Sequence, residues 1–135
     1  ILLQQIFGEQ LFYLQNTNFN VITDFTKREC SLTADIHYLK RLFDNLFSNV
    51  KKYAADGGDV LIKTRVAGSE LLICIGNDIR TDDLLVESTN IGLKTCQKIV
   101  EQMKGRFSTS RKDSYFEVRI VLPVELNDEE SDASE

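Results

Sequence analysis

Asn45, Asn49 and Lys52 stand at steps of four and three in the stretch Leu42-Phe-Asp-Asn-Leu-Phe-Ser-Asn-Val-Lys-Lys-Tyr-Ala54. On a helix those steps stack side chains one turn above another along a single line. Two carboxamides and an ammonium in such a line suit one chemistry well. An amide oxygen can enter the shell of a magnesium ion, and a lysine can neutralise phosphate. The line therefore reads as a seat for a magnesium-bound polyphosphate. The plainer reading is that Asn and Lys on the wet side of a helix are simply solvated. Two Asn in a helix interior cost some propensity relative to Ala or Leu, which favours a retained role.

The element that must carry them is legible in the same stretch. Ile36, Leu39, Leu42/Phe43, Leu46, Val50 and Tyr53 recur at three- and four-residue steps, the mark of one apolar helix face. Asp35 can cap that helix, which is predicted to run to about Ala55 and to end at Asp56-Gly57-Gly58. Residues 1–15 predict a further helix, with Leu2/Leu3, Ile6, Leu11 and Leu14 on one side. Phe19–Phe25 alternates and predicts a strand. Thr26–Ala34 reads as a loop with room for a short strand. Val60, Ile62, Thr64 and Val66, then Leu71, Ile73 and Ile75, predict a hairpin about Ala67-Gly68-Ser69.

Residues 79–91 are polar and acidic without a period and read as a loop. Ser88-Thr89-Asn90 offers caps for a third helix, with Leu93, Cys96, Ile99/Val100 and Met103 inward and Gly105 as its stop. Arg106–Ser110 and Tyr115–Leu122 predict a last hairpin about Lys112-Asp113, with Phe116, Val118, Ile120 and Leu122 inward. The order α-β-α-β-β-α-β-β, with helices that can share one side, predicts an α/β (α+β) two-layer sandwich with a mixed sheet.

Composition bounds the function. The chain of 135 residues is long enough for one core. Its net charge of −5 is concentrated at one end, because residues 125–135 hold six acids and no base. The expected division is a folded domain over 1–124 and an acidic, disordered tail over 125–135. The body, nearly neutral, has no basic run and no Trp, so nucleic acid is not an expected partner. No stretch is long and apolar enough for a membrane helix, and the start at Ile1 suggests a piece of a longer protein. Cys30, Cys74 and Cys96 are odd in number and widely spaced, which favours free thiols over a disulfide or zinc site. His37 has no Cys or acid spaced around it as a metal site requires, and reads as a surface residue.

The element order and motifs together resemble the ATP-binding catalytic domain of sensor histidine kinases, in the GHKL (HATPase) superfamily, over about Ile1 to Pro123. Asn45-Leu-Phe-Ser-Asn49-Val-Lys-Lys52-Tyr53-Ala is similar to the family's N box. Thr89-Asn-Ile-Gly92-Leu93 through Gly105 is similar to the second glycine box and its helix. There Gly92 lets backbone approach phosphate at a helix N-terminus. The first glycine box, usually Asp-x-Gly-x-Gly, is altered to Asn77-Asp78-Ile79-Arg80-Thr81. Asn77 takes the place of the Asp that accepts the adenine amine, with Asp78 beside it, and an amide oxygen can accept that bond without charge.

The resemblance implies the Bergerat-type ATP-binding fold, with three helices on one sheet face. It implies ATP and Mg2+ as ligands. Asn49 and Asn45 would hold the metal, Lys52 the phosphates and Tyr53 the nucleotide, while Asn77, Asp78, Ile79, Gly92 and Leu93 line the rest of the cleft. Asn49 and Lys52 would carry catalysis by electrostatic positioning. The implied partners are a histidine-bearing dimerisation domain of the same protein and a response regulator. The implied parent is dimeric and anchored in a bacterial cell membrane, with this domain in the cytoplasm.

The lid, 79–91, is short and lacks a Phe-rich box; it is expected to be mobile without nucleotide, with Arg80 as its only base and Lys94 just beyond. ATP-hydrolysing relatives carry a Glu base where Asn45 stands, and an amide accepts no proton from water. Asp35-Ile-His37-Tyr-Leu-Lys does not match the acceptor helix, so the fragment alone is expected neither to turn over ATP nor to label itself. A second reading is a degenerate module that binds nucleotide weakly or not at all and regulates a partner by contact.

Overall fold

The computed structural model of the chain describes residues 3–15, 17–27, 30–32, 35–79 and 86–126. In chain order the elements are α1 (Leu3–Gln15), β1 (Asn20–Asp24), β2 (Cys30–Ser31), α2 (Ile36–Tyr53), β3 (Asp59–Ala67), β4 (Glu70–Asp78), α3 (Val86–Gln102), β5 (Arg106–Lys112), β6 (Tyr115–Pro123) and β7 (Glu125–Leu126). Five strands form one sheet in the order β1-β3-β4-β6-β5. β1 runs parallel to β3, and the other neighbours are antiparallel, so the sheet is mixed as expected.

α2 forms where the apolar period placed it. The Asp35 carboxylate accepts from the His37 N–H at 2.8 Å and satisfies one of the free donors of the first turn. Lys51 and Lys52 lie in the last turn, where cations complement the helix dipole. Leu39, Leu42, Phe43, Leu46, Phe47, Val50 and Tyr53 are all buried. All but Tyr53 join one core with Val60, Ile62, Leu71, Ile73, Ile75, Val118, Ile120 and Leu122 from three strands of the sheet. Each such side chain contributes roughly 1.5–3 kcal/mol on leaving water. Phe7 of α1 sets its ring 5.0 Å from Phe43 and 6.2 Å from Phe47, both edge-on.

The helix stops because Ala54 turns extended, at ψ 143°, and Gly57 takes φ 69° in the turn that follows. Gly68 takes φ 61° at the first position of the β3–β4 turn, where glycine alone carries no steric cost.

Three expectations need correction. The third helix begins at Val86, so Ser88, Thr89 and Asn90 are helical and are not its caps. No proline stands between Val86 and Gly92, and a helix already nucleated after Leu93 propagates backwards past Gly92 despite the modest propensity cost of Ser, Thr, Asn and Gly. Its C-terminal stop is also displaced by one residue. Lys104, at φ 63°, is the left-handed residue. The bonds Gly105 N to Val100 O, 2.9 Å, and Lys104 N to Glu101 O, 3.0 Å, form a Schellman pair around it. Gly105 is needed for space instead, since a Cβ there would lie 2.9 Å from Leu122 and overlap the Val121 carbonyl. Finally, Glu125 and Leu126 pair with Ser31 and Cys30 in a two-stranded ladder. Of the expected tail, residues 127–135 lie outside the described residues.

Candidate functional site

Taking about 100° per residue, the buried stripe of α2 leaves two flanks. One flank carries Asp44 and Lys51 and faces α1. Gln10 Nε2 donates to Asp44 Oδ1 at 2.5 Å, and Lys51 Nζ lies 4.9 Å over the Tyr13 ring. The other flank carries Asn45, Asn49 and Lys52. Its neighbour is α3, whose buried Cys96 thiol points at the Leu42 carbonyl, 3.9 Å away. Both Asn residues are half-buried, at the border between core and solvent, and Lys52 is exposed with Nζ 5.8 Å over the Tyr53 ring.

The C-terminal end of this helix is tied to the end of β4. The Ala55 N–H donates to the Asp78 carbonyl at 2.8 Å, and Ala54 and Ile79 form an isolated antiparallel bridge. Asp78 also accepts from the Asp59 N–H at 3.0 Å, and Ile79 N donates to Ser114 O at 2.7 Å. Four segments therefore meet at one corner: the end of α2, the start of β3, the end of β4 and the β5–β6 turn. Asn77 lies on the inner face there, only 3% exposed, between Val60 and Phe116 in strand register. Its Nδ2 donates to the Asp78 carbonyl at 3.1 Å. A carboxamide with its nitrogen spent on a carbonyl turns its oxygen, a pure acceptor, elsewhere.

The residues present fit an adenine nucleotide. Tyr53 is 6% exposed, and its hydroxyl, alone among buried side-chain polar atoms of the described residues, has no hydrogen-bond partner. An orphaned buried hydroxyl is costly, and a polar ligand beside it removes the cost. Magnesium shared between two amides and a polyphosphate requires few protein ligands.

Leu93 faces the core and is 9% exposed. Gly92 is the seventh residue of α3, which starts at Val86, so the helix N-terminus expected there is not formed at that point. Arg80 and the acids Asp82 and Asp83 of the lid lie outside the described residues. His37 is exposed at the opposite end of α2 from Lys52. Roughly 18 Å of helix axis separates it from Asn49.

Sequence reasoning missed Tyr115. The hydroxyl end of its ring lies on Gly76, where an added Cβ would overlap the hydroxyl oxygen and stand 2.6 Å from Cζ and 2.9 Å from Cε2. Burial raises the Tyr115 hydroxyl above its ordinary pKa, with Glu117 and Asp78 acting in the same direction. The available signal was a glycine in mid-strand with an aromatic residue on the neighbouring strand. Burial likewise pushes the Cys96 thiol up to about 11. The cavity lined by Asp24, Phe25, Thr26, Lys27, Arg65 and Val66 includes none of the site residues.

Residues 34–126 match the family profile described as histidine kinase-, DNA gyrase B-, and HSP90-like ATPase. The chain is 28% identical over 112 residues to the sensor histidine kinase YrkQ of Bacillus subtilis, and the match spans 82% of this chain and 26% of that protein. It therefore spans about a quarter of the length of that curated relative. Among solved structures, the mycobacterial sensor histidine kinase MprB superposes with a TM-score of 0.76 at 16% identity, over 94% of this chain and 97% of that one. The Acinetobacter baumannii histidine kinase AdeS superposes with a TM-score of 0.66 at 18% identity, over 89% and 61%. The fold and the matched profile agree: the chain belongs to the histidine kinase-, DNA gyrase B- and HSP90-like ATPase family.

Proposed function

We propose that this domain binds magnesium-ATP and donates its γ-phosphoryl group to a histidine on a separate, dimerising helical domain of a longer protein. One observation carries the reading. The amide flank of α2 and the buried Asn77 of β4 are held at one corner by the Ala55–Asp78 bond and the Ala54–Ile79 bridge. Asn49 and Asn45 offer oxygens to magnesium, and Lys52 places a positive charge at the phosphates. Asn77 accepts the adenine amine through Oδ1, with Asp78 and Ile79 beside it, while the Tyr53 hydroxyl gains a polar partner. Gly92 and Leu93 border the phosphates once the start of α3 rearranges. Bound magnesium neutralises the polyphosphate. The protein's part is positioning and charge, because an imidazole acceptor is itself nucleophilic and needs no carboxylate base.

In this reading the parent is a dimeric sensor kinase of the bacterial membrane, with the domain in the cytoplasm and a response regulator downstream. No helix among the described residues is long and apolar enough to cross a membrane. The altered first glycine box supports the second reading, a module that has lost nucleotide and acts by contact. Calorimetric titration with a non-hydrolysable ATP analogue, with and without magnesium, separates the two. Magnesium-dependent binding is expected, and no binding in either condition favours the contact module. With radiolabelled ATP, acid-labile label is expected on an added acceptor domain and not on this chain.

A further inference from the structure

The two faces of β4 do different work at its C-terminal end. Leu71, Ile73, Ile75 and Asn77 point to the helices, and Leu72, Cys74, Gly76 and Asp78 point away from them. On β6 the same division sets Phe116, Val118, Ile120 and Leu122 inward and Tyr115, Glu117 and Arg119 outward. Tyr115 stands opposite Asp78 in register, yet its ring reaches back diagonally over Gly76. A glycine within β4, the central strand of the sheet, is a weak point, since it has maximal backbone freedom and no side chain to pack. Here the aromatic ring fills the place that a side chain would take, and Gly76 is buried.

Gly76 immediately precedes Asn77. The inward direction of the Asn77 amide therefore depends on the torsions of a residue held only by strand hydrogen bonds and by that ring. The next residue, Asp78, supplies the carbonyl on which Asn77 Nδ2 rests. The Asp78 carbonyl is itself held by Ala55. Tyr115 thus supports from the outer face what Asn77 presents on the inner one.

We propose that Tyr115 is a positioning residue for purine recognition: its ring, seated on Gly76, keeps Asn77 with Nδ2 on the Asp78 carbonyl and Oδ1 toward the ligand, and so favours 6-amino over 6-oxo purine nucleotides. The proposal rests on the adenine-nucleotide reading of this site. A neutral amide needs such support more than a carboxylate does. Rotated by half a turn, Asn77 would present a donor and accept a 6-oxo purine instead, whereas both oxygens of an Asp are acceptors. The hydroxyl oxygen, Cζ and Cε2 are the atoms nearest Gly76, and Phe keeps the two ring carbons there, so Phe should replace Tyr in large part.

The test compares ATP with ITP, its 6-oxo analogue, by calorimetric titration of the full chain in magnesium. Wild type and Tyr115→Phe are expected to prefer ATP equally, within about twofold, while Tyr115→Ala loses most of a preference of about tenfold, the worth of one hydrogen bond. Gly76→Ala, which displaces the ring without removing it, should behave like Tyr115→Ala. Side-chain amide exchange of Asn77, followed by NMR in the free protein, provides a readout independent of ligand. Protection is expected in wild type and Tyr115→Phe and its loss in Tyr115→Ala and Gly76→Ala, and Tyr115→Leu stands in should Tyr115→Ala not fold. Binding of ATP with an undiminished preference in Tyr115→Ala overturns the proposal and leaves the adenine-nucleotide reading intact. Failure of wild type to bind either nucleotide overturns both.

Discussion

The Ala55 N–H and the Asp78 carbonyl, 2.8 Å apart, join the helix that carries Asn45, Asn49 and Lys52 to the strand that carries Asn77. Both partners of this bond are backbone groups, and the Asp78 carboxylate is engaged separately by the Asp59 N–H. Their bond satisfies a donor left free just past the helix end and an acceptor at the end of a strand. In doing so it fixes the distance between the amide flank and the buried amide. A ligand that touches both must match that span.

Asn49→Ala should lower magnesium-ATP affinity by at least about tenfold, because it removes a metal-facing oxygen and leaves a small void in its place. Asn49→Asp should retain metal better than the Ala variant. Titration with a non-hydrolysable analogue checks both, and wild-type affinity in Asn49→Ala would displace the proposed site from α2.

Tyr53→Phe should separate stability from binding. The unpartnered hydroxyl costs the free protein about 1 kcal/mol or more, so its deletion should raise the unfolding free energy by about that much. Nucleotide affinity should fall in the same variant. Denaturant unfolding in the absence and presence of ligand measures the two effects, and a destabilised Tyr53→Phe would show that the hydroxyl has a partner in the free protein.

Gly92→Ala should make the first turns of α3 firmer. Gly within a helix costs about 1 kcal/mol relative to Ala, and Gly92 is the one glycine in Val86–Gln102. If phosphate binding needs this segment to leave the helix, the variant should show greater amide protection over 86–92 and weaker nucleotide binding together. Greater protection with unchanged affinity would mean that the helix start stays as it is when ligand binds.

Cys96 should make the fold sensitive to high pH. Its folded pKa, about 11, stands above the value of 9.0 for a free thiol. The unfolded chain therefore ionises first. Below about pH 9 both states hold the proton and stability is at its full value. Between about 9 and 11 the unfolded state is favoured and stability falls. Cys74 and Tyr115, both raised by burial, act in the same direction. Cys96→Ala should lower stability at neutral pH through the void it leaves, and should flatten the decline between pH 8 and 10.5 in urea unfolding. A decline as steep as that of wild type would assign it to other groups.

The sequence by itself determined the layers, the mixed sheet and α2. Their signals are periodic and repeated many times, as in the seven buried positions of α2, so burial and local preference agree. It also placed Asn45, Asn49, Lys52 and Tyr53 on one helix, because helical spacing is a local property. What depends on contacts between distant residues was decided by the tertiary structure. The Ala55–Asp78 bond and the ladder of Cys30–Ser31 with Glu125–Leu126 unite backbone groups that carry no sequence signal. The start of α3 followed helix growth past Gly92, where polar residues suggested caps, since Ser, Thr and Asn tolerate both roles. The seat of the Tyr115 ring on Gly76 is a diagonal contact between strands, fixed by register and twist, which one-dimensional spacing does not encode.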